Sequence, residues 1–376
     1  MQRLVCQKWG MSLRETVSSE EEGNAQMTRI AGVASAFPRH YYRQQEVASA
    51  LKRHWGKGLE NSEVLDRLLT RVGVDGRYFA LPIEAYDDLT TWGKSNNAWI
   101  EIAEDLAEQS ICRALTRAGL CEADLDAIFF VSVTGVASPS IDARLMNRMN
   151  LRSDIKRNPI FGLGCVAGAA GIARAADYVR AFPNECALLV SVELCSLTWQ
   201  RKDLSVANLI SSGLFGDGSA AVIVAGGERN TTGPEVLGTR SSFYRGTEHV
   251  MGWDISEEGF KIMLTPEVPD MVRKHLARDV DGFLADYGLD RSDIDTWIMH
   301  TGGPKVLDAT AELLGLPEGA LEVSWQTLRR VGNLSSVSVL LVLEEFMNRR
   351  RPAAGSYSIL AAMGPGFCSE LVLLRW

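Results

Sequence analysis

The chain has 376 residues, 46% of them hydrophobic, and its 47 acidic and 39 basic side chains give a formal net charge of −8. A chain of this length and composition can bury a large core, and its length suggests two domains or one domain built from two halves. The negative charge argues against nucleic acid as a partner, so an anionic ligand has to be held by local basic groups or backbone N–H groups. Small molecules are the expected substrates.

The seven cysteines show no C-x2-C pair and no Cys/His cluster of the zinc type, which favours a reduced interior without metal. The longest apolar runs, AIFFVSV and CALLVSV, are much shorter than the roughly 18 residues of a membrane span. The first 26 residues are polar and lack the apolar core of a signal peptide. We therefore expect a soluble cytoplasmic protein in which residues 1–27 form a flexible extension.

From residue 28 onward, segments of helical periodicity alternate with short β-rich runs, which predicts an α/β protein with a parallel or mixed sheet. One pattern occurs twice. GLCEADLDAIFFVSVTG begins at Gly119 and GLDRSDIDTWIMHTG begins at Gly288, with Gly, Leu and two Asp at the same positions. Each copy predicts a helix end, a turn and a buried strand.

The repeat continues beyond these strands. Cys165 and Asn333 are separated by almost the same number of residues as Gly119 and Gly288. Each follows a glycine and opens an apolar helical segment. Matching strands come next, ECALLVSVEL and SYSILAAMG, then GSAAVIVAG and SELVLLRW. We predict a duplicated αβαβα layered fold with two pseudo-symmetric halves, residues 28–232 and 233–376. Polar groups at the strand ends and helix starts of such a fold are where ligands usually bind.

Cys165 lies in FGLGCVAGAAG, among residues too small to block access to its thiol. A helix N-terminus stabilises a thiolate through its free N–H groups and its dipole, so this position predicts a nucleophile. The structural alternative is a small buried hydrophobic residue. A dinucleotide fingerprint of the G-x-G-x-x-A type is disfavoured, because the nearest later acidic residue lies within the helix itself rather than after a second strand.

His300 and Asn333 have structural alternatives of their own. A histidine at a strand end is often a satisfied core residue, but the Gly-Gly-Pro turn shortly after it leaves room beside the imidazole. Asn333 alone fits a helix N-cap, whereas its alignment with Cys165 favours a position in a pocket.

Two glycine-rich stretches are turns by composition. GPG at 364–366 also fits a rigid cavity wall, because it follows a buried strand. In FGDGSAA at 215–221 we expect Asp217 to be structural rather than catalytic.

Five motifs in one order, GCVAGAAG, LFGDGSAA, HTGGPK, GNLSS and MGPGF, resemble those of a type III polyketide synthase of the chalcone and stilbene synthase group, which has a thiolase-like fold. The similarity runs from about residue 28 to the C-terminus. It implies a homodimeric acyltransferase that uses malonyl-CoA and an acyl-CoA starter directly, without an acyl carrier protein or a bound cofactor. The chain would grow on a cysteine by decarboxylative Claisen condensation and then cyclise.

The resemblance also implies residue roles. Cys165 matches the nucleophile, while His300 and Asn333 match the pair that binds the malonyl thioester carbonyl and stabilises the enolate left by loss of CO2. The physics agrees, because donors aimed at that oxygen stabilise the charge that develops there and a histidine near the thiol keeps it ionised. Phe215 matches the gatekeeper between the CoA tunnel and the cavity.

Further positions match substrate contacts of the family. Arg67 and Arg71, one helical turn apart in VLDRLLTRVG, match basic residues that hold CoA phosphates; the alternative is a solvated helix face. Ser138 matches the position from which plant members reach into the partner's cavity. The remaining matches line the cavity or its cyclisation pocket: Thr134, Cys195, Thr198, Ser335, Gly364, Pro365 and Gly366.

Some departures from the plant pattern bear on the substrate. Cys195 stands where plant chalcone synthases have threonine, and His300 is followed by threonine where many members have proline. The stretch MGWDISEEGFKIMLTPEVP differs in length from the plant form, so the second gatekeeper has no assigned position. These features favour bacterial members that take fatty acyl-CoA starters and make alkylpyrones or alkylresorcinols.

Three alternatives remain open. An initiating ketoacyl synthase shares the Cys, His and Asn set but uses an acyl carrier protein, and its histidine is usually followed by Gln, Ala and Asn. A hydroxymethylglutaryl-CoA synthase needs a glutamate near the cysteine, and the sequence places none there. A catalytically inactive binding protein of the same fold would not need all three residues.

Overall fold

The computed structural model describes residues 27–55 and 62–376. Residues 1–26 of the predicted N-terminal extension therefore lie outside the described part of the chain. The strands are β1 (Arg29–Ala36), β2 (His40–Arg43), β3 (Gly76–Phe79), β4 (Ala127–Ser132), β5 (Lys156–Phe161), β6 (Cys186–Leu194), β7 (Asp217–Ala225), β8 (Glu235–Phe243), β9 (Met251–Ser256), β10 (Gly259–Leu264), β11 (Ile294–Met299), β12 (Tyr357–Gly364) and β13 (Cys368–Arg375).

Helices fill most of the intervals between these strands. They are α1 (Gln44–Trp55), α2 (Ser62–Arg71), α3 (Trp92–Ala118), α4 (Ile141–Arg148), α5 (Ala167–Ala181), α6 (Val206–Leu214), α7 (Val268–Ala285), α8 (Pro304–Leu314), α9 (Glu322–Val331) and α10 (Val337–Asn348). Short 3-10 turns join some of them, including Gly164–Val166 directly before α5.

Nine strands of the described chain form one mixed sheet in the order β11-β12-β13-β8-β1-β7-β6-β4-β5. In the first half β4 is parallel to β6, β6 is antiparallel to β7, and β7 is antiparallel to β1. In the second half β11 is parallel to β12, β12 is antiparallel to β13, and β13 is antiparallel to β8. The halves meet where Arg29 of β1 pairs with Glu235 of β8. The predicted duplication and mixed sheet are therefore confirmed.

The repeated glycines end equivalent helices. Gly119 follows α3 with φ of 68°, and Gly288 follows α7 with the same φ of 68°. This left-handed conformation costs glycine little, because glycine has no Cβ to clash with the preceding turn.

The repeated aspartates make equivalent contacts. Asp124 accepts a hydrogen bond from the Cys121 N–H at 2.9 Å, and Asp293 accepts one from the Asp290 N–H at 2.8 Å. Each contact closes a 3-10 turn just before the parallel strand of its half. The second aspartate of each copy, Asp126 or Asp295, accepts a hydrogen bond from the neighbouring strand of the sheet. The donors are the N–H groups of Cys186 and Tyr357, respectively. The sequence repeat thus reflects repeated hydrogen bonds.

Both halves of the sheet pack against the same central helix pair, α5 and α10. Along β6, Leu189 belongs to this central core, whereas Leu188 and Val190 face the opposite side toward α3. Helices α7 and α8 cover the outer face of the second half. The order of layers is therefore helix, sheet, helix, sheet, helix, and burial on both faces explains why β4, β6 and β7 are buried throughout.

The central helices approach closely at Gly168 in the first turn of α5. A Cβ at this position would lie 2.2 Å from the carbonyl oxygen of Ser336 and 2.8 Å from Val339 Cγ1. We predict that Gly168→Ala lowers the free energy of unfolding in urea by about 2 to 3 kcal/mol, because the helices have to separate.

Gly93→Ala is the matched control. It lies in the first turn of α3, and its nearest neighbour would be Thr91 Oγ1 at 4.0 Å, so we expect a neutral or slightly stabilising effect. Equal changes in the two variants would contradict the close approach of α5 and α10.

Candidate active site

Cys165 is held at the N-terminal end of α5 by a 3-10 turn. The thiol residue is buried, with 6% of its surface exposed. Gly164 has a φ of 55°, and a Cβ there would lie 2.7 Å from Pro365 Cδ. The glycine before the cysteine is therefore required both by its backbone conformation and by the packing of the 364–366 turn against it.

His300 follows β11 directly. Its backbone N–H donates to the Ala361 carbonyl at 3.0 Å, which continues the pairing with β12 for one more residue. The imidazole is buried, and its Nδ1 makes no hydrogen bond within the protein. The predicted alternative of a satisfied core histidine is therefore wrong, and the ring is available to a ligand.

Asn333 lies before α10 rather than at its N-cap. The helix begins at Val337 with Ser336 as the N-cap residue, so the helix-cap alternative is wrong. Asn333 Oδ1 accepts hydrogen bonds from the Ser335 N–H at 2.8 Å and from Ser338 Oγ at 3.3 Å. With the oxygen occupied in this way, the amide N–H2 is the part of the side chain left to donate to a ligand.

Phe215 and Asn333 are joined through their backbones. The Asn333 N–H donates to the Leu214 carbonyl at 2.9 Å, and the Gly216 N–H donates to the Asn333 carbonyl at 2.9 Å. This isolated parallel bridge connects the end of α6 to the segment before α10. The ring of Phe215 and the amide of Asn333 therefore keep a fixed relationship.

Two adjoining cavities meet at Cys165. The Cys195 cavity, named after one of its lining residues, and the His300 cavity, which also contains Asn333, each enclose about 640 Å³ of empty space, part of it open to solvent. Cys165 and Phe215 line both cavities. The thiol is thus accessible from two directions, and the Phe215 ring stands between them.

Most of the predicted cavity residues line one of these spaces. In addition to Phe215, the lining of the Cys195 cavity includes Thr134, Cys195, Thr198, Ser335 and Pro365. Ser335 adopts a φ of 48°, which is uncommon for a residue other than glycine and turns the chain sharply after Asn333.

Five predicted residues do not line either cavity. Arg67 and Arg71 lie on the exposed face of α2, and Ser138 is exposed in the loop before α4. Gly364 and Gly366 flank Pro365 without lining the cavity themselves. Their assignments to CoA phosphates, to a partner's cavity and to the cyclisation pocket stay predictions.

Burial governs the protonation of the reacting groups. Desolvation raises the pKa of the Cys165 thiol to about 12, although a hydrogen bond with Ser335 acts in the opposite direction. Desolvation also lowers the pKa of His300 to about 4. Each group alone is therefore neutral at pH 7, in contrast to the thiolate expected from the sequence, because a single charge is costly in this dry site.

A buried glutamate near Cys165 was missed by the sequence analysis. Glu193 accepts hydrogen bonds from the Val133 N–H at 3.1 Å, from Thr134 Oγ1 at 3.0 Å and from Ser336 Oγ. Its charge contributes to the raised pKa of the thiol. The sequence analysis could not place a glutamate near the cysteine, and the one carboxylate within the apolar strand CALLVSVEL was the available signal.

The β9–β10 hairpin supplies residues that the sequence analysis could not assign. Met251 and Leu264 line both cavities, as Phe215 does, and Trp253 and Ile262 line the Cys195 cavity. The hairpin pairs only with itself, apart from the main sheet. The hairpin residues line the cavities because of the way the hairpin packs over the site. The hydrophobic periodicity of the sequence does not indicate that packing.

The described residues contain neither a metal-binding cluster nor a membrane-spanning helix. Within residues 27–55 and 62–376, no group of three or more His, Cys, Asp or Glu side chains is arranged to hold a metal ion. No helix in the same ranges is long and apolar enough to cross a membrane.

The duplicated layered fold, with Cys165, His300 and Asn333 around adjoining cavities, defines a thiolase-like condensing enzyme. Two family models cover nearly all of the chain: chalcone and stilbene synthases, N-terminal domain, matches residues 14–228, and chalcone and stilbene synthases, C-terminal domain, matches residues 235–376. The chain therefore belongs to the chalcone and stilbene synthase family.

Individual relatives agree with this assignment. The chain is 49% identical to a 1,3,6,8-tetrahydroxynaphthalene synthase of Streptomyces peucetius subsp. caesius, with 93% of each chain covered. It is 31% identical to a 3,5-dihydroxyphenylacetyl-CoA synthase of Amycolatopsis orientalis, with 99% of this chain and 100% of the relative covered. The crystal structure of 1,3,6,8-tetrahydroxynaphthalene synthase from Streptomyces coelicolor A3(2), a bacterial type III polyketide synthase, superimposes with a TM-score of 0.87 at 34% identity, covering 93% of this chain and 99% of that one.

The protein is thus a type III polyketide synthase, an acyltransferase that joins CoA thioesters by decarboxylative Claisen condensation. Enzymes of this family use CoA thioesters without an additional cofactor. The thiolase-like fold expected from the sequence is confirmed, and the family assignment argues against the carrier-protein-dependent, hydroxymethylglutaryl and inactive alternatives.

Burial of Glu193 predicts a pH dependence of stability. Desolvation raises the pKa of this carboxyl to about 7, above its ordinary value of 4.5. Its contribution to stability is fully present below about pH 4.5 and is lost as the pH rises through about 7, because the folded state resists ionisation. Relative to wild type, Glu193→Gln should therefore gain about 2 to 3 kcal/mol in the free energy of unfolding between about pH 5 and pH 8.

Urea unfolding at several pH values measures this difference. Glu318→Gln is the control, since Glu318 is an exposed carboxylate at the surface. A constant difference between wild type and Glu193→Gln across this range would contradict the raised pKa of Glu193.

Proposed function

We propose that this enzyme loads malonyl-CoA as its starter, extends it with further malonyl units and releases a polyhydroxylated aromatic product of the tetrahydroxynaphthalene type. Three of the relatives, at 49%, 36% and 31% identity, are 1,3,6,8-tetrahydroxynaphthalene synthases. That product carries meta-related hydroxyl groups in each ring, the oxygen pattern that condensation of two-carbon units leaves. The observation that carries the proposal is that Cys165 lines two adjoining cavities at once, of which one also contains His300 and Asn333.

Loading begins at Cys165. The neutral imidazole of His300, whose Nδ1 is unoccupied, accepts the thiol proton as the sulfur attacks the thioester carbonyl. The new S–acyl bond replaces the bond to the CoA sulfur, and the CoA thiolate leaves with the proton returned by His300. The buried pair gains no net charge during this transfer, which the low-dielectric site favours.

Extension uses the His300 cavity. The N–H2 group of Asn333 and an N–H of His300 donate to the carbonyl oxygen of a second malonyl thioester. These donors stabilise the negative charge that forms on this oxygen when the carboxylate leaves as CO2. The enolate carbon then attacks the acyl-Cys165 carbonyl, which forms a carbon–carbon bond and releases the thiolate of Cys165.

The growing chain occupies the Cys195 cavity. Thr134, Thr198 and Ser335 contribute hydroxyl groups to its lining, and Cys195 contributes a thiol. A poly-β-keto chain carries a carbonyl oxygen on every second carbon. Thr134 and Thr198 donate their hydroxyl protons to Glu193 and to the Cys195 carbonyl, so the chain has to displace these contacts to be bound by the two hydroxyls.

Several assignments belong to the same proposal. Phe215 acts as the gate between incoming CoA thioester and growing chain, and Met251 and Leu264 share that boundary. Arg67 and Arg71, exposed on α2, hold the CoA phosphates. The active species is a homodimer in which the exposed loop at Ser138 faces the partner's cavity.

A fatty acyl-CoA starter is the second candidate, as the sequence departures favoured. Aromatic and aliphatic side chains line part of the Cys195 cavity, namely Trp199, Trp253 and Ile262, and they offer an apolar surface to an alkyl chain. This route would give alkylpyrones or alkylresorcinols.

Mass spectrometry of products separates the two candidates. Purified enzyme receives malonyl-CoA alone, and then malonyl-CoA with acyl-CoA starters from acetyl to palmitoyl and with a cinnamoyl type. We expect an aromatic product from malonyl-CoA alone, without a carrier protein. Products only in the presence of long acyl-CoA starters would contradict the malonyl starter and support the second candidate.

Site variants test the residue roles. Cys165→Ala is expected to abolish acyl loading, because no other nucleophile lies at the junction of the cavities. His300→Gln loses the proton acceptor and moves the N–H donor away from the position set by the imidazole ring, so we expect partial loading and decarboxylation reduced by about 100-fold.

Isotope-labelled CO2 release and intact-protein mass measure the two steps separately. Cys112→Ala, which removes a thiol outside both cavities, is the control. A His300→Gln enzyme that decarboxylates malonyl-CoA at the wild-type rate would remove His300 from the mechanism.

A further inference from the structure

Arg77 on β3 is fully buried, with 0% of its surface exposed, and lies outside the residues that line the two cavities. Its Nη1 donates to the Gly213 carbonyl at 2.6 Å and to Gln44 Oε1 at 2.5 Å, and its Nη2 donates to the Ser212 carbonyl. A charged side chain is rarely buried so completely unless specific partners hold it. Its partners here are mainly backbone carbonyls at the end of α6.

These carbonyls belong to the last turn of α6, where a helix leaves its final C=O groups without intrahelical partners. The Ser211 carbonyl accepts the Phe215 N–H, and the Leu214 carbonyl accepts the Asn333 N–H. The guanidinium of Arg77 binds the two intervening carbonyls, those of Ser212 and Gly213. Its positive charge also faces the negative end of the helix dipole.

The stem of Arg77 packs behind the Phe215–Asn333 bridge. A Cβ on Gly216 would lie 3.3 Å from Arg77 Cβ, and a Cβ on Gly332 would lie 3.6 Å from Arg77 Cδ. Gly216 and Gly332 are the residues directly after Phe215 and directly before Asn333. The Arg77 side chain therefore occupies the space beside the glycines on both sides of the bridge.

Asp217 balances the charge of Arg77. It is buried and lies next to Gly216, and its carboxylate accepts hydrogen bonds from the Ala80 N–H at 2.6 Å and the Ser196 N–H at 2.8 Å. The attraction of Arg77 lowers the pKa of Asp217 against the larger effect of burial, which raises it to about 6. These contacts agree with the structural role that the sequence analysis expected for Asp217.

We propose that Arg77 is a positioning residue of the active site, which fixes the end of α6 against Asn333 and so sets the positions of the Phe215 ring and the Asn333 amide beside Cys165. The planar guanidinium suits this task because its two terminal nitrogens donate to two carbonyls at once. A lysine ammonium has a single nitrogen, which is a compact point charge. Displacements of about 1 Å in a positioned group reduce rates by up to about 100-fold. The inference rests on the proposed role of Asn333 in decarboxylation.

Arg77→Lys keeps the positive charge but loses the simultaneous hydrogen bonds to the Ser212 and Gly213 carbonyls. We expect Cys165 to load acyl groups within about twofold of the wild-type rate, because the hydrogen bonds of Arg77 go to Gln44 and the end of α6 and not to the turn that carries Cys165. Decarboxylation of malonyl-CoA, counted per loadable cysteine, should fall about 10-fold or more. A purely structural role would lower the number of loadable sites and the melting temperature but leave the kcat per site unchanged.

Arg229→Lys is the matched control. Arg229 is a partly buried arginine that binds one carboxylate, Asp124 at 2.6 Å, and it lies outside both cavities, so its kcat per loadable site should equal that of wild type. If Arg77→Lys does not fold, Gln44→Met takes its place. It removes the partner of Arg77 Nη1 and the second donor to the Gly213 carbonyl, and we expect a smaller loss of decarboxylation with normal loading.

The outcomes distinguish the two proposals. A wild-type kcat per loadable site in Arg77→Lys, or in Gln44→Met where that variant is used, overturns the role of Arg77. Wild-type enzyme that loads acyl groups but does not decarboxylate malonyl-CoA overturns the proposed function itself. A selective loss of decarboxylation in the variant, with the Arg229→Lys control unchanged, supports Arg77 as a positioning residue.

Discussion

Two backbone hydrogen bonds link the end of α6 to the segment before α10, and the geometry of the whole site depends on them. The Asn333 N–H binds the Leu214 carbonyl, and the Gly216 N–H binds the Asn333 carbonyl. Asn333 also precedes a helix that packs against α5, the helix that carries Cys165 at its start. Cys165, Asn333 and Phe215 therefore belong to one connected assembly, which suits the proposed reaction, since that reaction depends on positioned donors.

Burial gives this assembly its chemical character. Polar side chains around the thiol are satisfied by neighbours, as in the hydrogen bonds from Thr134 and Ser336 to Glu193 and from Ser335 and Ser338 to Asn333. The unoccupied Nδ1 of His300 is an exception, and it lies in the cavity beside Cys165. In a dry site a single charge is costly, whereas proton transfer within a neutral pair is not. The imidazole is therefore suited to move a proton during thioester exchange.

The fold could be predicted from the sequence because its repeated residues have local tasks. Gly119 and Gly288 end helices in the same left-handed conformation, and Asp124 and Asp293 close the same turns. Three features of the site could not be predicted from such local sequence patterns. Helix α10 begins later than its apolar pattern suggested, Glu193 was hidden within an apolar strand, and the hairpin residues depend on packing over the cavity.

The sequence by itself determined the duplicated α/β fold and the identities of Cys165, His300 and Asn333 as candidates, because glycine turns, aspartate caps and apolar periodicity act over short distances along the chain. Only the tertiary structure decided which atoms of these residues are free, which protonation state burial favours, and that Arg77 lies behind the Phe215–Asn333 bridge. These properties depend on contacts between residues far apart in the chain, and no local pattern encodes them.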